Sequence, residues 1–325
     1  MRENFQQCFA QMKMVPPRDA EEKRRNWNGG CVSDMCLKIE GAVVTHVGNV
    51  RSGNEDNYYL FGNYRYDTAI RQKRESKTVL AQQMAAAVYD GMGGEEAGEM
   101  ASYLAVKECM PCALDEMDAQ IRRQISAANM AVCREIKHRG TGRMGTTIAA
   151  LYMDENTAIS CNVGDSRCYT MHKGILRQIS VDDSEARAMV EMGLLSPENA
   201  RSSKSWHKLT QHLGVSPDEF IIEPHISAPM RMETGDIFLL CSDGLTDMVM
   251  DETIGEILSS TGSAMQQADT LVETALENGG RDNITVVVLH VKSSKGNQIP
   301  ALLRKVPTPV WILLFFLIAA AVIIA

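Results

Sequence analysis

Four times in this chain an apolar, strand-like run meets an aspartate in a polar or glycine-rich tip. The places are Val88-Tyr89-Asp90-Gly91, Val163-Gly164-Asp165, Cys241-Ser242-Asp243-Gly244 and, where a strand begins, Gly280-Arg281-Asp282-Asn283-Ile284. This recurrence limits the fold more than any other feature. Each run has the length and apolar content of a buried strand. Each therefore has to bring a carboxylate to the surface at a strand end. Glycine beside the acid lets the backbone turn sharply and approach another group closely. Taken singly, each aspartate is compatible with a turn or a cap. Four of them on one strand-rich domain point instead to a shared edge that gathers oxygen donors.

Several carboxylates without a thiolate cluster suit magnesium or manganese rather than a tetrahedral zinc site. Two such ions about 3.5–4 Å apart can clamp a phosphoryl group and ionise water at neutral pH. The chain carries no GxxxxGK(S/T) loop and no kinase glycine loop, so nucleotide-driven transfer is not suggested. A net charge of −8 argues against nucleic acid as a main partner. Nine cysteines, an odd number scattered through strands and helices, fit reduced thiols better than a disulfide framework. Cys109-Met110-Pro111-Cys112 is a lone CxxC without a second motif or a thioredoxin-like context.

In chain order, residues 1–36 read as a peripheral extension without the apolar core of a secretory signal. A first strand is expected over 37–47, then a polar loop, Asn49 to Asn57, holding Arg51, Glu55 and Asp56. An Arg can grip phosphate, and the acids can reach a metal or its waters; a hydrophilic hairpin with a surface ion pair is the plain alternative. Gly62 to Lys77 reads as a basic loop, solvated or set against an acidic or anionic surface. After Asp90, Glu95, Glu96 and Glu99 open a helical run. Helices are expected over 97–114, 117–138, 251–258 and 264–277, and short strands over 146–152, 157–163, 168–171, 175–179, 208–212, 220–226, 236–241 and 284–289. Residues 181–208 interrupt the strand pattern as a candidate flap over a site. Thr246 and Asp247 read as a structural cap.

The end of the chain has another character. Residues 293–305 form a polar tether, and 310–325, VWILLFFLIAAAVIIA, are wholly apolar. With 306–309 the run reaches about 30 Å as a helix, enough to cross a bilayer. Arg304 and Lys305 before it, and Trp311 at its start, predict a single-pass anchor over 306–325 with the preceding domain on the cytoplasmic face of the cell membrane.

The ordered motifs RSGNEDN (51–57), VYDGMGG (88–94), GTTIAAL (145–151), NVGDSR (162–167), CSDGLTD (241–247) and GGRDNITVVV (279–288) resemble the type 2C metal-dependent serine/threonine protein phosphatases, in a bacterial form. The resemblance spans roughly 38–292. It implies an α+β fold: a four-layer α-β-β-α sandwich of two antiparallel sheets flanked by helices, with two or three manganese or magnesium ions in a cleft at one end. It also implies hydrolysis of phosphoserine and phosphothreonine in proteins by a metal-activated water, without a covalent phosphoenzyme. By position, Asp90 would bridge two ions, the carbonyl of Gly91 would bind one, and Asp243 and Asp282 would complete the other. Glu55 and Asp56 would act mostly through metal-bound water, Asp165 would hold a third ion with Asp243, and Arg51 would grip the phosphate. Some family members carry a histidine where this chain has Met92, which leaves the proton donor open. Partners expected are phosphorylated proteins, among them a membrane serine/threonine kinase, and the bilayer through 306–325. The competing readings are a membrane-anchored phosphoprotein-binding pseudophosphatase and a phosphatase dedicated to one regulator.

Overall fold

Side-chain alternation along the strands decides the layering. The computed structural model describes residues 37–67, 70–93, 97–140 and 144–293. Fifteen strands occur among them: β1 Leu37–His46, β2 Asn57–Leu60, β3 Asn63–Tyr64, β4 Gln72–Ala81, β5 Gln83–Tyr89, β6 Gly91–Met92, β7 Gly145–Thr146, β8 Ile148–Asp154, β9 Thr157–Val163, β10 Arg167–His172, β11 Ile175–Gln178, β12 His225–Ile226, β13 Met230–Arg231, β14 Ile237–Cys241 and β15 Ile284–Ser293. Helices are α1 Ala97–Val106, α2 Met117–Arg139, α3 Glu185–Glu191, α4 Pro197–Ala200, α5 Asp243–Thr246, α6 Asp251–Ser259 and α7 Ala264–Glu277.

One antiparallel sheet runs β11-β10-β14-β15-β1-β4 and the other β12-β9-β8-β5-β2-β3, with β13 also on β9. In β5, Met84, Ala86 and Val88 face the other sheet, and Ala85, Ala87 and Tyr89 face α1 and α2. In β15, Val287, Leu289 and Val291 face inward, while Val286 and Val288 pack against α6 and α7. A period of two with both faces apolar buries a strand on both sides. Three apolar layers follow, and the order is helices, sheet, sheet, helices. α7 opens with a capping box, Ser263 and Gln266 exchanging side-chain bonds with each other's backbone N–H.

Several expectations change. Residues 72–77 are not loop: they belong to β4, the edge strand beside β1. β4 is charged and largely exposed, with only Val79 and Ala81 against the core, so it lacks the apolar alternation that marks a strand. α1 ends at Val106 rather than 114, ahead of Pro111, which cannot continue a helix; a 3-10 turn, Leu114–Glu116, precedes α2. The strands expected at 208–212 and 220–226 reduce to isolated bridges at Leu209 and Leu213 and the two residues of β12. α6 is capped by Met250 without a side-chain bond, so Thr246 and Asp247 do not cap it. The 1–36 extension, the helix-opening Glu95 and Glu96, the tether beyond 293 and the 306–325 anchor lie outside the described residues. Among the described residues, no helix is long and apolar enough to cross a membrane.

Candidate metal centre

Strand register brings the acids to one end of the sandwich. In one sheet Asn57 pairs Tyr89 and Ile148 pairs Val163, so Asp56, Asp90 and the turn after β9 share an end. Val88 opposite Ala149 ties the two pairs together. In the other sheet Arg167 pairs Cys241, Cys241 pairs Val286 and His46 pairs Ile284, so Asp243, Asp282 and the segment after β1 share an end. The short links Gly164-Asp165-Ser166 and Val47 to Asp56 pass from one sheet to the other there. The two ends are therefore the same end.

Hydroxyls and amides fix the acids. Thr147 N–H and Thr146 Oγ1 both donate to the Asp90 carbonyl, at 2.9 and 2.8 Å, and the Asp90 N–H donates to Thr147 Oγ1 at 3.1 Å. Thr147 Oγ1 lies 2.7 Å from Ser166 Oγ, beside Asp165. Ser242 Oγ donates to Asp56 Oδ2 at 2.8 Å. Asn283 is the hub of the first loop: its Oδ1 accepts from the Glu55 N–H at 2.7 Å, and its Nδ2 donates to the carbonyls of Val47 and Gly53, both at 2.9 Å. Ser102 Oγ donates to the Glu55 carbonyl at 2.6 Å. Gly91 is buried on β6, where a Cβ would stand 2.2 Å from the Gly98 carbonyl oxygen and 2.5 Å from that of Glu55. Glycine serves there to let three backbone segments meet.

The electrostatics report the same convergence. Burial first, then Asp56, Asp243, Asp165 and Asp282, push the Asp90 carboxyl well above the usual carboxylate range. Asp56, fully buried, is pushed up to about 7 by burial, against the Thr285 and Ser242 hydrogen bonds, with Asp282 and Asp243 adding to the rise. Asp165 is raised by burial and then by Asp243, Asp182 and Asp247. Glu55 is raised by burial, with Arg51 opposing and Glu99 and Asp282 adding. Arg51 Nη2 donates to Asp282 Oδ2 at 2.6 Å, and the Arg51 side chain is 56% exposed.

Like charges packed this closely, in a low-dielectric setting, call for cations. The donor set fits a hard divalent metal. It is built from carboxylate oxygens, and Asp56 Oδ1 and Asp243 Oδ1 are buried without a hydrogen-bond partner. Every residue singled out from the sequence — Arg51, Glu55, Asp56, Asp90, Gly91, Asp165, Asp243 and Asp282 — lies at this end.

Sequence reasoning missed part of the outer rim. Asp247, read as a cap, accepts the indole N–H of Trp206 at 2.9 Å on Oδ1. His207 Nδ1 lies 3.5 Å from Asp247 Oδ2 and 3.8 Å from Asp243 Oδ2. That imidazole is pushed up to about 9 by Asp243, with burial opposing and Asp247 adding. A small pocket here is lined by Asp165, Asp243 and Asp247 on one side and by Asp182, Ser184 and Trp206 of the flap on the other. The spacing of Asp243 and Asp247, one helical turn apart, was the available signal.

Comparison with known proteins adds the following. Residues 69–279 match a family model described as protein phosphatase 2C. The serine/threonine phosphatase stp of Listeria monocytogenes is 31% identical over 258 residues, 75% of this chain and 93% of that protein. The serine/threonine protein phosphatase PstP of Mycobacterium tuberculosis is 35% identical over 236 residues, 70% of this chain but only 44% of that longer protein. A crystal structure of M. tuberculosis PstP/Ppp superposes with a TM-score of 0.67 at 31% identity, covering 79% of this chain and all of that one. The PstP catalytic domain in complex with two manganese ions gives a TM-score of 0.63 at 32% identity, over 79% of this chain and all of that one.

Proposed function

The chain belongs to the protein phosphatase 2C family of serine/threonine phosphatases, and from that premise we propose that it hydrolyses phosphoserine and phosphothreonine in proteins with the help of two or three manganese or magnesium ions. The observation that carries this reading is the convergence of Asp56, Asp90, Asp165, Asp243 and Asp282, in which burial and neighbouring acids raise the carboxyls of Asp56, Asp90 and Asp165. The PstP structure described with two manganese ions supports it.

Asp90, Asp243 and Asp282, with the Gly91 carbonyl, would hold the inner ions; Glu55 and Asp56 would order the waters around them. Asp165 and Asp243 would take a third ion. Bound there, the ions supply water ionised at neutral pH and positive charge for the phosphoryl oxygens. The protein does the rest. The Thr146 and Thr147 bonds to the Asp90 backbone fix that carboxylate before substrate arrives, which avoids reorganisation during reaction. Arg51, half exposed and bonded to Asp282, exchanges that bond for a phosphoryl oxygen and orients the group for in-line attack. Met92 offers no proton, so the leaving alkoxide takes one from water or from another group at the rim.

The same reading puts the domain at the cytoplasmic face of the cell membrane, tethered by 293–305 to an anchor over 306–325. A phosphorylated membrane serine/threonine kinase then fits as a partner, because a tether of this length holds the cleft near the bilayer. The test is a phosphopeptide assay with chelator and metal add-back. Manganese restores hydrolysis to the wild-type chain and not to Asp90→Asn, which is expected to lose at least about a thousandfold in kcat. Equal activity in the two proteins overturns the assignment.

A further inference from the structure

The flap is attached to the body by very little apolar surface. α3 buries only Ala186 and α4 only Ala200. Met192 is 72% exposed and Leu194 69%. The flap's first residues are tied to β9 and the turn after it, Val181 to Asn162 and Asp183 to Gly164; its second limb is held beside the acids by a polar clasp around Trp206. The Arg167 guanidinium carbon lies 5.7 Å from the centroid of the indole ring and that of Arg201 lies 5.8 Å from it. Arg167 is itself buried and grips Asp182, at the start of the flap, through Nε at 2.9–3.1 Å and Nη2 at 2.6 Å. Arg201 Nη2 donates to the Thr246 carbonyl at 2.8 Å, and the Trp206 N–H closes the clasp on Asp247. One ring thus joins both limbs of the flap to β10 and α5, the element that begins with Asp243.

We infer that Trp206 is a positioning residue: it pins the flap as a fixed wall of the acid pocket, and so aids phosphoprotein substrates but not small phosphate esters. The inference rests on the proposed phosphatase activity. With Trp206 lining the pocket opposite the acids, an extended peptide on either side of the phosphorylated residue would run along this wall, and a small aryl phosphate would not. Loss of the ring removes two guanidinium–indole contacts and a hydrogen bond to a carboxylate from the flap's second limb, and touches none of the three apolar layers.

The experiment compares full-length wild type, Trp206→Ala and Trp206→Phe on a phosphopeptide and an aryl phosphate with manganese, alongside limited trypsin cleavage within the flap. Trp206→Ala is expected to raise the phosphopeptide KM about fivefold or more, with kcat for both substrates and the aryl phosphate KM within about twofold. Trypsin should cut its flap faster. Trp206→Phe keeps a ring between the guanidiniums but donates no hydrogen bond, and is expected to fall between. Where Trp206→Ala does not fold, Arg201→Gln opens the same clasp and carries the same expectation. An unchanged phosphopeptide KM, or equal losses on both substrates, overturns the pin. A wild type inactive on both substrates overturns the phosphatase reading instead, and the flap-cleavage rates then still decide whether Trp206 pins the flap.

Discussion

At the scale of the residue, the candidate centre holds carboxyls, Asp56, Asp90 and Asp165, that burial and acidic neighbours bias toward the protonated form. Asp56 shows it most directly: burial and its acidic neighbours bring it to about 7. Between about pH 4 and pH 7 the folded protein then keeps a proton there that the unfolded chain has lost. With the folded state binding more protons, this group's contribution to stability falls as pH rises through that window. A bound divalent cation replaces the proton and removes the penalty. The increase in Tm on adding saturating manganese should therefore be larger at pH 7.5 than at pH 5. Thermal denaturation with and without the metal measures it, and an increase that is equal at the two pH values, or larger at pH 5, contradicts the account. The acids themselves were legible in the sequence because each ends an apolar run. Their supports were not. The bonds that Ser242, Thr147 and Asn283 make to Asp56, Asp90 and Glu55 span 57 to 228 positions of the chain, which no local pattern encodes.

At the scale of the element, the glycines after Asp90 and Asp243 have a purpose that spelling alone does not reveal. A Cβ on Gly244 would stand 2.0 Å from the Asn283 carbonyl oxygen, so α5 begins in contact with the loop entering β15. Gly174, by contrast, has φ +78° and open space around it. The same substitution should fail for different reasons at the two sites. Gly244→Ala is expected to cost about 3 kcal/mol or more by overpacking, and Gly174→Ala about 1 kcal/mol by backbone strain alone. Urea denaturation reads both; equal costs would mean that the close approach is not tight. Buried strands and long amphipathic helices were legible, α7 to its boundaries, since apolar alternation and a Ser-x-x-Gln box specify it. Edge strand β4 was not, because a solvated edge carries charge where the pattern demands apolar residues.

At the scale of the whole molecule, two sheets stacked face to face make one end where five chain segments deliver acids, and the flap forms a wall beside them. The four-layer order was implied by the resemblance. The pairing of β1 with β15, across most of the chain, is encoded by no local signal. The proposed anchor is tested at this scale too. The full chain should partition with membranes and a chain ending at 293 should not, with phosphopeptide turnover in solution unchanged between them; a full chain that stays in the soluble fraction contradicts the anchor. The most direct test of the central claim is an anomalous difference map at the manganese edge from crystals of this protein grown with manganese. The account predicts strong peaks between Asp90, Asp243 and Asp282. Density that stays empty there at saturating manganese, or manganese bound only elsewhere, would contradict it.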